Sequence, residues 1–191
     1  MHDKEIEIQV QVEHIGALRE YLIERAELIS TSRQVDEYFT PLDRDFVAVH
    51  PVREWLRLRD ADGKASINYK NWHPDADGKT RWCDEFETSV ASTETMRKIL
   101  GALGFRSIVT VDKQRETWVY KQYEIALDSV KGLGDFVEIE YKGSESAPDH
   151  KTITNEMVQF LKDLRCGQIK RNYQGYPFML LFPEEVKQEV Q

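Results

Sequence analysis

The residues Glu5-Ile6-Glu7-Ile8-Gln9-Val10-Gln11-Val12 decide how this chain is read. Polar and apolar side chains alternate through them without a break, the two-residue repeat of an extended strand rather than the repeat of a helix. Glu5, Glu7, Gln9 and Gln11 therefore share one face, and the aliphatic residues share the other. Working outward, the spacing predicts further strands over 33–39, 54–59, 65–70, 82–90, 108–120, 122–128 and 136–142. Asp60-Ala61-Asp62-Gly63 reads as a hairpin turn and 131–134 as a second turn. Residues 71–79, with Pro and Gly, read as a loop. An apolar stripe of Ile15, Leu18, Leu22 and the pair Ala26/Ile29 predicts a first helix. A second fits 93–103, with Ser92 as N-cap and Gly104 as stop, and a third fits 154–164, ending near Gly167. The aromatic stretch 173–182 suits a short helix or edge strand, and 184–191 reads as a solvated tail. The chain is thus expected to be one α+β domain over 1–183, dominated by antiparallel sheet.

Composition narrows the function. Of the 191 residues 40% are hydrophobic and 31% charged, as in a globular protein. A net charge of −8 argues against nucleic acid as a partner, because such binders carry a basic balance or stripe. It leaves room for a small anion, since a local field can oppose the global one. No apolar run is long enough to span a membrane, and the first residues lack the apolar core of an export signal, so a cytoplasmic location is expected. Cys83 and Cys166, without metal-ligand spacing, read as reduced thiols.

The polar faces carry the chemistry. Ionisable residues recur two apart, and each pair is uniform in sign: Glu5/Glu7, Arg57/Arg59, Glu85/Glu87, Lys113/Arg115 and Glu138/Glu140. Like charges at this spacing repel unless a counter-charge lies across the sheet. Basic pairs facing a polyanion and acidic pairs facing Mg²⁺ or Mn²⁺ would satisfy both signs. A sheet whose outer face is laced with salt bridges would show the same pattern.

The order of these pairs resembles the CYTH superfamily, which includes class IV adenylyl cyclases, thiamine triphosphatases and inorganic triphosphatases. Glu5-Ile6-Glu7-Ile8-Gln9 resembles its E-x-E-x-K signature. Val35-Asp36-Glu37-Tyr38-Phe39 resembles a D-x-Y-F segment. Leu56-Arg57-Leu58-Arg59 with Ile67-Asn68-Tyr69-Lys70 resembles the L-R-x-R hairpin and its lysine. Glu85-Phe86-Glu87, Lys113-Gln114-Arg115 and the run from Leu127-Asp128 to Glu138-Ile139-Glu140 follow in family order, the last resembling the class IV cyclase-like branch.

The resemblance implies a closed antiparallel eight-stranded β-barrel with flanking helices, lined by the charges and acting on a triphosphate-containing small molecule. It implies that Arg57, Arg59, Lys70, Lys113 and Arg115 hold the triphosphate, with Gln9, Glu85 and Glu87 lining the substrate. Glu5, Glu7, Glu138 and Glu140 would carry Mg²⁺ or Mn²⁺, and Asp128 would join Lys113 and Arg115 as a catalytic group. The activity it implies is adenylyl cyclase-like, ATP to cyclic AMP and pyrophosphate, with a triphosphatase as alternative. Pairing of two copies as a homodimer is a further expectation from the cyclase-like branch. One departure stands out: Gln9 replaces the motif lysine, and an amide brings no charge. That departure also admits a non-catalytic sensor of polyphosphate or nucleotide.

Overall fold

The computed structural model describes residues 6–74, 80–143 and 149–191. Its elements run β1 (Ile6–Val12), α1 (Ile15–Arg25), β2 (Glu27–Pro41), β3 (Glu54–Ala61), β4 (Lys64–Pro74) and β5 (Thr80–Val90). They continue through α2 (Thr93–Ala102), β6 (Phe105–Tyr120), β7 (Tyr123–Val130), β8 (Gly134–Tyr141) and α3 (His150–Asp163). The C-terminal segment adds β9 (Ile169–Asn172), α4 (Tyr176–Leu181), a 3₁₀ turn at Pro183–Glu185 and β10 (Gln188–Val190). None of the described helices is long and apolar enough to cross a membrane.

The hydrogen-bonded strand order is β10-β9-β1-β8-β7-β6-β2-β3-β4-β5. The expected α+β class with a large antiparallel sheet is therefore present, but the closed eight-stranded barrel is not. Among the described residues the hydrogen-bonded order holds ten strands, begins at β10 and ends at β5. The difference arises at the C-terminus, where Ile169-Lys170-Arg171-Asn172 pairs antiparallel along β1 and β10 pairs in turn with β9. Four residues without alternation gave no strand signal of their own.

The chain divides into two compact units, one from Met1–Ser32 with Lys113–Gln191 and the other Arg33–Asp112. In the first unit the apolar face of the sheet (Ile8, Val10, Ile125, Leu127, Val137, Ile139) packs with Leu18 and Leu22 of α1 and Ile153, Met157 and Leu161 of α3. Asp149 starts α3 four residues earlier than expected, because its carboxylate accepts from the backbone N–H groups of Lys151 and Thr152 at 2.9 and 3.1 Å. In the second unit Phe39, Phe46, Leu56 and Leu58 pack with Leu100 of α2. Ser92 Oγ caps that helix by accepting from Thr95 N at 3.2 Å.

Two boundaries differ from the sequence reading. The first helix stops at Arg25, and Ile29 lies in β2. Glu27-Leu28-Ile29-Ser30-Thr31-Ser32 is rich in β-branched and hydroxyl residues, which favour extension. Likewise β4 continues to Pro74, with Trp72 opposite Cys83, where a loop was expected from Asn71; residues 75–79 lie outside the described ones. Neither cysteine forms a disulfide with a described residue, and Cys166 is buried.

Leu161 has no exposed surface and sits in the core between α3 and the sheet. Leu161→Ala is expected to cost about 2–5 kcal/mol through the cavity it leaves. A urea titration should show a lower midpoint with an unchanged slope.

Candidate functional site

Alternation along each strand sends the ionisable residues to the face opposite the apolar core. In the first unit β1 and β8 place Gln9 opposite Glu138 and Glu7 opposite Glu140. Asp128 on β7 lies opposite Phe136 on one side and Arg115 on the other. Asp128 has no exposed surface, and Lys113 is 4% exposed.

A buried carboxylate has to be held by donors, and here there are three. Lys113 Nζ lies 3.0 Å from Asp128 Oδ2, and Arg115 donates through Nε at 2.6 Å and through Nη2. Tyr176, from α4, donates its hydroxyl to Oδ2 at 2.8 Å. Burial favours the neutral carboxyl of Asp128, but the hydrogen bond from Arg115 and the charge of Lys113 outweigh it and hold the group below the usual carboxylate range. Burial also opposes the charge on Arg115; the hydrogen bond to Asp128 and the charge of Glu138 more than offset it, so its proton is held more tightly than usual. Burial and then the nearby charges of Glu138 and Asp128 push the Tyr176 phenol well up, which keeps it a neutral donor.

Glu138 is engaged at both oxygens. Gln9 Nε2 donates to Oε1 at 2.8 Å, and Arg115 Nη2 reaches Oε2. The carbonyl oxygen of Gln9 accepts from Asn172 Nδ2 on β9. The amide at position 9 thus bridges Glu138 and Asn172.

The second unit builds its own charged face. Register places Asp36 opposite Arg59, Tyr38 opposite Arg57, Asn68 opposite both Arg57 and Glu87, and Lys70 opposite Glu85. Asp36, 2% exposed, takes the fork of Arg59 at 2.6 Å through both Nε and Nη2. Lys70 Nζ lies 3.1 Å from Glu85. Asn68 Nδ2 donates to Glu85 at 2.7 Å and to Glu87 at 3.2 Å. Burial raises the Glu85 carboxyl, yet the Asn68 hydrogen bond and the Lys70 charge prevail, and it lies below its ordinary value. Arg57 differs from its neighbours: Asp36 and Glu87 approach only to 3.9 Å each, and among the described residues its buried Nε has no hydrogen-bond partner. An orphaned guanidinium nitrogen beside a basic strand suits an anion that would complete it.

Carboxylate oxygen is the donor chemistry that Mg²⁺ and Mn²⁺ prefer, and Mg²⁺ needs only one or two protein carboxylates beside substrate phosphates. Glu7 and Glu140, paired across β1 and β8, fit that requirement; Glu140 also meets Lys142 Nζ at 2.6 Å. Among the described residues no three His, Cys, Asp or Glu converge into a cage, and Glu5 lies outside the described residues. Sequence reasoning passed over four residues of these networks: Asp36, Asn68, Asn172 and Tyr176. Asp36 and Asn68 stood within quoted motifs and lie in phase with the charged faces, which was the available signal.

With this geometry in place, comparison with known proteins gives the class. The CYTH domain family model matches residues 3–171, and the chain belongs to that family. A protein of Methanocaldococcus jannaschii that carries the provisional name adenylate cyclase is 33% identical over 173 residues, which cover 88% of this chain and 95% of that protein. A solved protein of Pyrococcus horikoshii is similar at 27% identity with a TM-score of 0.71, covering 94% of this chain and 99% of that one. A Hippeastrum protein, provisionally an adenylyl cyclase and described as showing a dominant triphosphatase activity, shares the fold at 18% identity with a TM-score of 0.63, over 94% of this chain and 95% of that one.

Asp128→Asn would leave two buried cations without their carboxylate, and a loss of about 3–5 kcal/mol is expected. Because the folded-state value of Asp128 lies below the ordinary 3.8, its contribution is complete above that pH and is lost as pH falls through the folded value. Urea midpoints from about pH 7 to about pH 3 should therefore show the gap between wild type and Asp128→Asn closing at the acid end.

Proposed function

We propose that the chain is a metal-dependent enzyme acting on a triphosphate, with adenylyl cyclase-like conversion of ATP to cyclic AMP and pyrophosphate as the first reading. The observation that carries it is Arg57, whose buried Nε has no hydrogen-bond partner among the described residues, two positions from Arg59 on β3. In a purely structural salt network such a donor would be an unoffset cost, whereas a bound phosphate oxygen would satisfy it. In the second unit Arg57 is read as the phosphate ligand, with Arg59 held by Asp36 and Lys70 by Glu85 as flanking positive charge. In the first unit Lys113 and Arg115 supply positive charge, and the hydrogen bonds of Arg115 to the described residues run through Nε and Nη2, which leaves Nη1 for a ligand.

Glu7 and Glu140, with Glu5 as the motif implies, would hold Mg²⁺ or Mn²⁺, which when bound supplies electrostatic stabilisation of the phosphate oxygens. Cyclisation joins the ribose 3′-oxygen to the α-phosphorus and breaks the α–β bridge, so that pyrophosphate leaves and the hydroxyl proton passes to solvent. Lys113 and Arg115 then neutralise charge that grows on phosphate oxygens as the bridge breaks. Asp128, saturated by donors and held as a carboxylate, serves to aim those two cations rather than to accept a proton. The alternative is hydrolysis of the terminal phosphate, which uses the same cations; the activity described for the Hippeastrum relative favours keeping it.

The test is turnover of ATP, GTP, inorganic triphosphate and thiamine triphosphate with Mg²⁺ or Mn²⁺, products separated by chromatography. Cyclic nucleotide with pyrophosphate is the expected outcome, and orthophosphate would establish hydrolysis instead. Arg57→Ala is expected to lower kcat/KM by about tenfold to a hundredfold, the weight of a charge-assisted hydrogen bond. Tight triphosphate binding without turnover would overturn the enzyme reading in favour of a sensor.

A further inference from the structure

A hydrogen-bonded path leaves the C-terminal segment at Asn172 and returns to it at Tyr176. Asn172 donates to Gln9, Gln9 to Glu138, and Glu138 accepts from Arg115. Arg115 forks on Asp128, which accepts from Tyr176. Asn172 is 5% exposed and Tyr176 6%. Both lie just past residue 171, where the family match ends.

We propose that Asn172 and Tyr176 are positioning residues, which hold from either side the two carboxylates that clamp Arg115 and so aim its remaining nitrogen at phosphate. The inference rests on the proposed reading of Arg115 as a phosphate ligand. Tyr176 does more than donate. Its ring lies 5.0 Å from Lys113 Nζ and packs edge-on against Phe136 with centroids 5.1 Å apart, so one side chain fixes both the acceptor that Arg115 forks on and the neighbouring ammonium. At the other end the requirement is an amide. A lysine at position 9 could only donate, whereas the Gln9 carbonyl accepts from Asn172 while its NH₂ group donates to Glu138. Asn172 in turn is tied to its own segment by donation to the Gln174 carbonyl. The departure from the motif lysine is thereby matched to a partner outside the motif: the neutral amide keeps its direction because Asn172 fixes it.

The test uses the full chain with Tyr176→Phe, Asn172→Ala, and Tyr173→Phe as control. Tyr173 lies on the same segment but is 62% exposed, with its hydroxyl on Glu189. Nitrogen-15 NMR follows solvent exchange of the Arg115 Nε–H, calorimetry gives the Kd for inorganic tripolyphosphate without metal, and thermal midpoints report folding. Tyr176→Phe keeps the ring, and it should quicken Nε–H exchange and weaken tripolyphosphate about tenfold, as loss of one bond to a charged acceptor would. Asn172→Ala should act in the same direction, and Tyr173→Phe should change neither readout. Unchanged Nε–H exchange in the two site variants would overturn the proposal, as would a loss of affinity that only tracks loss of folded protein. If wild type fails to bind tripolyphosphate, the phosphate-ligand reading falls, and the exchange measurement still decides whether the two residues position Arg115.

Discussion

A carboxylate stripped of water is tolerable only where donors replace the water, and the charged face of the first unit is arranged around that requirement at Asp128. Its two oxygens take an ammonium, a guanidinium and a phenol. Each donor comes from an element whose placement is thereby constrained. Lys113 and Arg115 stand two apart on β6, which sets the register of that strand against β7. Tyr176 belongs to α4, whose apolar residues Phe178 and Met179 are buried with it. Removing a donor would leave part of the buried carboxylate without a replacement for water, so the group holds together as a unit.

The second unit solves a similar problem in the same way. On β3 as on β6, two cations stand two apart, and the second of them, Arg59 or Arg115, forks on a buried aspartate, Asp36 or Asp128. The first cation differs. Lys113 shares the aspartate of its neighbour, whereas Arg57 meets Asp36 at 3.9 Å and its Nε has no hydrogen-bond partner among the described residues. Two strands with similar sequence patterns therefore leave different amounts of hydrogen-bonding capacity unspent. The unspent capacity, rather than the count of positive charges, is what separates a binding surface from a salt network.

Much of this was legible in the sequence because it follows from a two-residue period. Glu5 to Val12 gave β1 and its faces, Asp62-Gly63 gave the β3–β4 turn, with both residues at positive φ, and Ser92 gave the start of α2. The charged pairs were found for the same reason. What escaped were features fixed by long-range pairing or by single residues. The four residues of β9 are a strand only because β1 offers an edge to them, and openness of the ladder is decided by where the far strands end. Asn172 closes the four residues of β9 and Tyr176 lies in the aromatic stretch that follows, neither of which alternates. Their polar ends matter only because Gln9 and Asp128, distant in sequence, arrive beside them.

The end of the ladder at β5 has a bearing on colloidal behaviour. A terminal strand exposes backbone donors and acceptors to any chain that can add to it, and Phe86 there is 66% exposed. Glu85 and Glu87 flank that ring along the strand, and Asp84 adds a third negative charge. Two identical edges brought together would set these carboxylates against each other. The acidic residues singled out for a role toward substrate would thus also oppose edge-to-edge stacking of two copies, a purely electrostatic effect apart from any chemistry.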